Sequence, residues 1–286
     1  MAKKPKKVGA SARARSSGLR WAVPAVVLIG SIAVALFVAR SRAATDAVER
    51  VPCAARTLPR VEGCTPRRCG RTVVDGFATA TEVEGLRGLA AKGMALGGGS
   101  GAPTILDLQS GALSLDDQFI DVHVRLNQTG GSAYTREEVA VYKEIIGRIT
   151  HLIAHTFDSE PSQLFLTAPT FFSRIDGSRP AVTPHDEYWH SHVDTLQYGS
   201  FEYTSLLYLT DHADDFQGGK LHFDAVNGRP AKLIAPKRGR LALFTSGEEF
   251  PHSVQQVTGG TRLALTIAFT CQREAAIVDF LGRVQS

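Results

Sequence analysis

From residue 162 onward the chain breaks into short apolar or alternating runs, at 164–167, 188–194, 204–209, 220–223, 240–244 and 262–270, separated by glycine, proline and aspartate. Runs this short and regular fit strands better than helices, and a series of them points to a sandwich or a barrel. Upstream the period changes. Thr135 with Glu138 forms a capping pair ahead of Val139, Tyr142, Ile145, Ile146, Ile149, Leu152 and Ile153, the spacing of a helix with one buried face. Thr81 with Glu84 predicts a second helix start, running to residue 96 and stopped by Gly97-Gly98-Gly99. The expected fold class is mainly β with flanking helices (α+β), organised as a helical lead-in over 71–160, a β core over 161–272 and a C-terminal tail over 273–286.

The N-terminus obeys different constraints. Residues 1–20 hold seven Lys/Arg and no acid, and residues 21–39 hold 19 uncharged residues, rich in Ala, Val, Leu and Ile. As a helix at about 1.5 Å per residue the second stretch spans roughly 28 Å, the hydrocarbon thickness of a bilayer. Pro24 falls in the first turn, where a missing N–H costs little. A cleaved signal peptide usually has an apolar core of about 7–15 residues, so a transmembrane signal-anchor fits better. The basic leader keeps residues 1–20 cytoplasmic, giving a single-pass type II membrane protein. Its body then lies in the lumen of the secretory pathway or outside the cell.

Nine of the 32 Lys/Arg lie in residues 1–42, leaving 23 against all 28 Asp/Glu, a net −5 for the remainder. The overall +4 is therefore local, and the body would repel a phosphate backbone, which excludes nucleic acid as a partner. Residues 40–70 are rich in Cys, Pro and Arg and read as a stalk. Cys53, Cys64, Cys69 and Cys271 are even in number and are disulfide candidates in an oxidising compartment, with three pairings open. A zinc site competes poorly, because Cys64 and Cys69 lack CxxC spacing. Asn127-Gln128-Thr129 is a glycosylation sequon, with Asn127 the acceptor.

The chemistry concentrates in Tyr188-Trp189-His190-Ser191-His192-Val193-Asp194. Read as a strand, it projects His190, His192 and Asp194 from one face. A histidine and a carboxylate there can share a metal ion with a third ligand from elsewhere, for which His252 is the best candidate. Two imidazoles and one carboxylate leave open positions, an arrangement suited to Fe(II) enzymes that bind a cosubstrate and dioxygen. Arg262 opens a run in which Leu263, Leu265, Ile267 and Phe269 point one way. Arg262 lies with Ala264, Thr266 and Ala268 on the other face, placed to grip a carboxylate with its planar fork.

The ordered set His-x-Asp, then His, then Arg ten residues on, resembles the 2-oxoglutarate- and Fe(II)-dependent oxygenases, most nearly the prolyl 4-hydroxylase branch. The resemblance runs over residues 70–272. It includes Val73-Val74-Asp75-Gly76-Phe77, an expected hairpin at Gly218-Gly219-Lys220-Leu221-His222-Phe223, and Pro236-Lys237-Arg238-Gly239-Arg240-Leu241. It implies a double-stranded β-helix (jelly-roll) core and iron held by His192, Asp194 and His252. It also implies 2-oxoglutarate held at its far carboxylate by Arg262, ascorbate as reductant, and hydroxylation of a protein or peptide with succinate and CO2 as co-products. The runner-up is a catalytically inactive binding domain on the same barrel. A cupin-type site using His190 and His192 lacks the glutamate expected soon after that pair. His190 is then expected behind the metal or toward substrate, and Tyr188, Tyr203 and Tyr208 stay open as further contacts to the cosubstrate.

Overall fold

The structure, a computed structural model, describes residues 47–129 and 134–277. The predicted basic tail 1–20, the apolar span 21–39 and residues 278–286 of the predicted C-terminal tail lie outside the described residues. Among the described residues no helix is long and apolar enough to cross a membrane.

Fourteen strands are found among the described residues: Glu49–Val51 (β1), Cys69–Val74 (β2), Gly98–Gly99 (β3), Pro103–Leu106 (β4), Ala112–Asp116 (β5), Gln118–Asp121 (β6), Phe165–Asp176 (β7), Tyr203–Tyr208 (β8), Phe216–Gly218 (β9), Leu221–Phe223 (β10), Lys232–Ile234 (β11), Leu241–Thr245 (β12), His252–Val254 (β13) and Val257–Thr270 (β14). The large sheet runs β1-β2-β12-β8-β14-β7-β4-β5-β3, with β6 on β5 and β9 on β14; the small sheet runs β11-β10-β13. Every pairing is antiparallel except β3 with β5.

Strands β8 and β12 are buried at every position, which is why they read as apolar runs without alternation. Two layers cover them. Behind the large sheet lie Ala80–Met94 (α1) and Arg136–Phe157 (α3), while the short helix Val122–Gln128 (α2) follows β6 and contacts it. Tyr142 of α3 meets Phe172 of β7 at 6.1 Å between ring centres, and Phe157 meets Tyr203 of β8 at 5.1 Å. In front, Leu206, Tyr208, Ala242, Phe244 and Ala264 of the large sheet pack with Leu221, Phe223 and Ile234 of the small one. The fold is thus mainly β with flanking helices.

Several expectations shift. The helix expected from Thr81 and Glu84 starts two residues earlier: Thr79 caps it, and Glu82 completes the capping box. Thr135 and Glu138 do cap α3. The run 164–167 is only the beginning of the twelve-residue β7. Gly218-Gly219 is no hairpin turn; it carries the chain from β9, on the large sheet, to β10 of the small one, with φ of +74° and +62°. Nor are residues 47–70, the described part of the expected stalk, free of the domain. Strand β1 pairs with β2, and the cysteines join as Cys53–Cys69 and Cys64–Cys271. The lead-in 71–160 likewise contributes strands β2 to β6 to the large sheet.

The Cys64–Cys271 bridge spans 207 residues of sequence, so it restricts the unfolded chain strongly. Replacing both cysteines by serine is expected to lower the unfolding free energy by about 2–5 kcal/mol. Urea denaturation of the oxidised protein reads this, and an unchanged midpoint would mean the bridge contributes nothing.

Candidate metal centre

The stretch expected as a strand at 188–194 is not one. His192 makes a single bridge to His252, with each backbone N–H donating to the other's carbonyl at 2.9 Å. Asp194 then opens a five-residue helix, Asp194–Tyr198 (α4). Backbone pairing thus sets the two imidazoles side by side, 4.5 Å between ring centres. The helix turn, rather than strand alternation, brings the carboxylate beneath them. Asp194 Oδ1 lies 3.5 Å from His192 Nε2 and 3.7 Å from His252 Nε2. One donor atom from each residue falls within 4.8 Å of the others, and among the described residues this is the one such cluster of three.

The tautomers follow from the backbone. His192 Nδ1 lies 3.1 Å from the His190 carbonyl, and His252 Nδ1 lies 3.0 Å from the Phe250 carbonyl. A carbonyl only accepts, so each Nδ1 carries a proton, and in the neutral ring this leaves Nε2 with the lone pair that faces the common centre. His252 is enclosed by aromatic rings, with Phe244 at 4.8 Å and Phe223 at 5.8 Å. That burial pushes its pKa down and keeps it neutral. For Asp194, burial alone would raise the pKa, but the His192 bond, the nearby His252 and the Thr204 hydroxyl outweigh it and hold the carboxyl below its ordinary range. His192, also partly desolvated, is pulled upward by Asp194.

His190 does not join the cluster. Its Nε2 meets Glu187 Oε2 at 2.7 Å and its side chain is 68% exposed. Both residues line the mouth of a cavity of about 430 Å³ that holds the triad and Arg262. Arg262 is 1% exposed. Its Nε donates to the Gly219 carbonyl at 3.0 Å, while Nη2 has no hydrogen-bond partner and no carboxylate pairs with it among the described residues. A side chain at Gly219 would come within 2.9 Å of the Arg262 stem, so only glycine lets that carbonyl reach the guanidinium.

The three tyrosines separate clearly. Tyr203 points to the helical layer and donates to the Cys64 carbonyl at 2.6 Å. Tyr188 accepts from the Val257 N–H at 2.9 Å. Tyr208 is fully buried beside Arg262, its ring centre 5.6 Å from the guanidinium carbon, and its hydroxyl is unpartnered. Burial raises its pKa to about 12, so it stays a donor. A buried cation and an idle phenol side by side are costly unless an anion meets both. Two neutral imidazoles and a carboxylate suit a divalent transition metal with open positions. The residues therefore fit Fe(II) together with 2-oxoglutarate. Sequence reasoning missed Thr204, whose hydroxyl holds Asp194; its only signal was a place two and four residues before Leu206 and Tyr208 on one face of a strand.

Comparison with known proteins agrees with this geometry. Residues 179–270 match the 2OG-Fe(II) oxygenase superfamily. The chain is 46% identical over 231 residues to 2-oxoglutarate and iron-dependent oxygenase domain-containing protein 3 of Xenopus tropicalis, covering 80% of this chain and 72% of that protein. A 70-residue stretch is 46% identical to prolyl 3-hydroxylase 3 of Homo sapiens, covering 24% and 9% of the two chains. A prolyl 4-hydroxylase structure from Pseudomonas putida superposes with a TM-score of 0.47 at 18% identity, over 71% of this chain and 92% of that one. By the extent of the Xenopus match, and with the His192, Asp194 and His252 cluster at its centre, the chain belongs to the 2-oxoglutarate and iron-dependent oxygenase domain-containing protein 3 family of the 2OG-Fe(II) oxygenase superfamily.

Proposed function

We propose that this chain is an active dioxygenase that hydroxylates a side chain of a polypeptide, with its catalytic domain on the luminal or extracellular side of a membrane. Bound Fe(II) and 2-oxoglutarate supply the oxidising chemistry, converting dioxygen and 2-oxoglutarate to succinate and CO2 as a C–H bond becomes an alcohol. The protein's part is placement. His192, Asp194 and His252 take one side of the ion and leave the cavity side free. Arg262 and Tyr208 receive the far carboxylate of the cosubstrate, fixing which end points to the metal. Ile105, Phe171, Ile175 and Leu206 form an apolar wall that limits water.

The observation that carries this reading is the uncompensated buried guanidinium of Arg262 in the same cavity as the triad. An inert binding domain would have no need to retain that cost. Polypeptide as substrate is supported by the prolyl 3-hydroxylase match. The compartment is supported by the sequence of 21–39, by two disulfides in the body and by Asn127, which is exposed on α2. Anaerobic titration of Fe(II) and then 2-oxoglutarate into the purified protein should raise a visible charge-transfer band. Iron bound without such a band would sink the reading, as would a band without succinate across a broad set of peptides in air with ascorbate present. Loss of apparent mass on treating the cellular protein with a glycosidase tests the orientation through Asn127.

A further inference from the structure

We infer that Thr204, with Ser246 behind it, is a positioning residue that restricts Asp194 to a single metal-ligating oxygen; this deepens the proposed function and rests on reading His192, Asp194 and His252 as the iron site. Asp194 Oδ1 is the oxygen that faces both imidazole Nε2 atoms. Oδ2 is already engaged: the Thr204 hydroxyl donates to it at 2.5 Å. Thr204 has only one proton, so in its 2.8 Å contact with Ser246 the serine must be the donor. The series Ser246 to Thr204 to Asp194 thus has one direction and ends on a carboxylate.

The series is also rigid. Thr204 stands on β8, on the face that carries Leu206 and Tyr208, and is 4% exposed. The Ser246 N–H donates to the Glu202 carbonyl at 3.1 Å. The Ser246 carbonyl accepts from the Thr195 N–H at 3.1 Å, and the Thr195 hydroxyl proton is shared between that carbonyl at 2.9 Å and the Phe201 carbonyl at 2.7 Å. Thr195 follows Asp194 directly, so the residue that feeds the relay also pins the start of α4. A carboxylate that can rotate offers either oxygen or both to a metal. With Oδ2 occupied, Asp194 offers one, and the position a second oxygen would fill stays free for the cosubstrate or dioxygen. Outer contacts of this kind typically set about 10–100-fold in metal affinity.

The test is Co(II) titration of the full protein, followed by affinity and by the visible spectrum, which reports how many ligands surround the ion. Thr204→Val keeps the shape and removes the hydroxyl. It is expected to weaken Co(II) binding by about 10–100-fold and to alter the spectrum, while Thr204→Ser restores both. A folded Thr204→Val protein with wild-type affinity and spectrum overturns the inference. Should Thr204→Val fail to fold, Ser246→Ala, which removes only the donor to Thr204, must shift the same two readouts in the same direction, and unchanged values overturn the inference equally. Wild-type protein that takes up no Co(II) overturns the iron-site reading itself, and the role of Thr204 with it.

Discussion

Arg262→Met is expected to abolish useful 2-oxoglutarate binding while making the unliganded protein more stable. The two effects have one cause. Without a bound dicarboxylate the buried guanidinium has no acidic partner among the described residues, and burial lowers its pKa. Replacing it by an apolar chain of similar length removes an uncompensated charge. When a dicarboxylate binds, the same charge becomes its main anchor. Losing one member of such a pair costs about 2–5 kcal/mol, roughly 30- to 5,000-fold in Kd. Iron affinity should be unchanged, because Arg262 makes no contact with the triad. Thermal melts with and without 2-oxoglutarate read both arms, since a ligand that binds only the folded state raises its melting temperature. Wild-type cosubstrate affinity in this variant would remove Arg262 from the site.

Asp194→Asn should leave a folded protein that no longer holds iron. The amide keeps the shape and can still accept the Thr204 hydroxyl bond through its oxygen. Its nitrogen then faces the two Nε2 lone pairs, and an amide N–H is a donor where the metal needs an acceptor. The affinity loss should exceed the roughly 100-fold upper end seen for contacts behind a ligand. Metal content of the purified protein and an anaerobic Fe(II) titration measure it, and stoichiometric iron in this variant would contradict the assignment of Asp194. His252→Ala is the weaker test, because it also opens a gap among Phe223 and Phe244.

The residues of the candidate site were legible in the sequence because His-x-Asp, His and Arg are rare types set at characteristic separations. Their local geometry was not. A seven-residue stretch with alternating polar positions reads as a strand, yet only His192 pairs with another strand, and through one bridge. Tyr208 could not be told from Tyr203 because β8 is buried on both faces, which erases the alternation that would separate them. The helix boundary at Thr79 was ambiguous because Thr79–Glu82 and Thr81–Glu84 both have the capping spacing. The disulfide partners depend on how strands far apart in sequence are laid together: Cys271 follows β14 and Cys64 precedes β2. No local pattern carries that information.

The reciprocal pairing of His192 with His252 bears on how the ion comes and goes. Two backbone hydrogen bonds tie the histidine-bearing segments to each other through main-chain atoms that ligate no ion, so much of the ordering entropy of the ligands is met in folding. Loading and stripping should then proceed as a vacancy being filled and emptied within an unchanged frame. Amide exchange at His192 and His252 should stay slow in the stripped protein, and chelators should inactivate reversibly without exposing the interior.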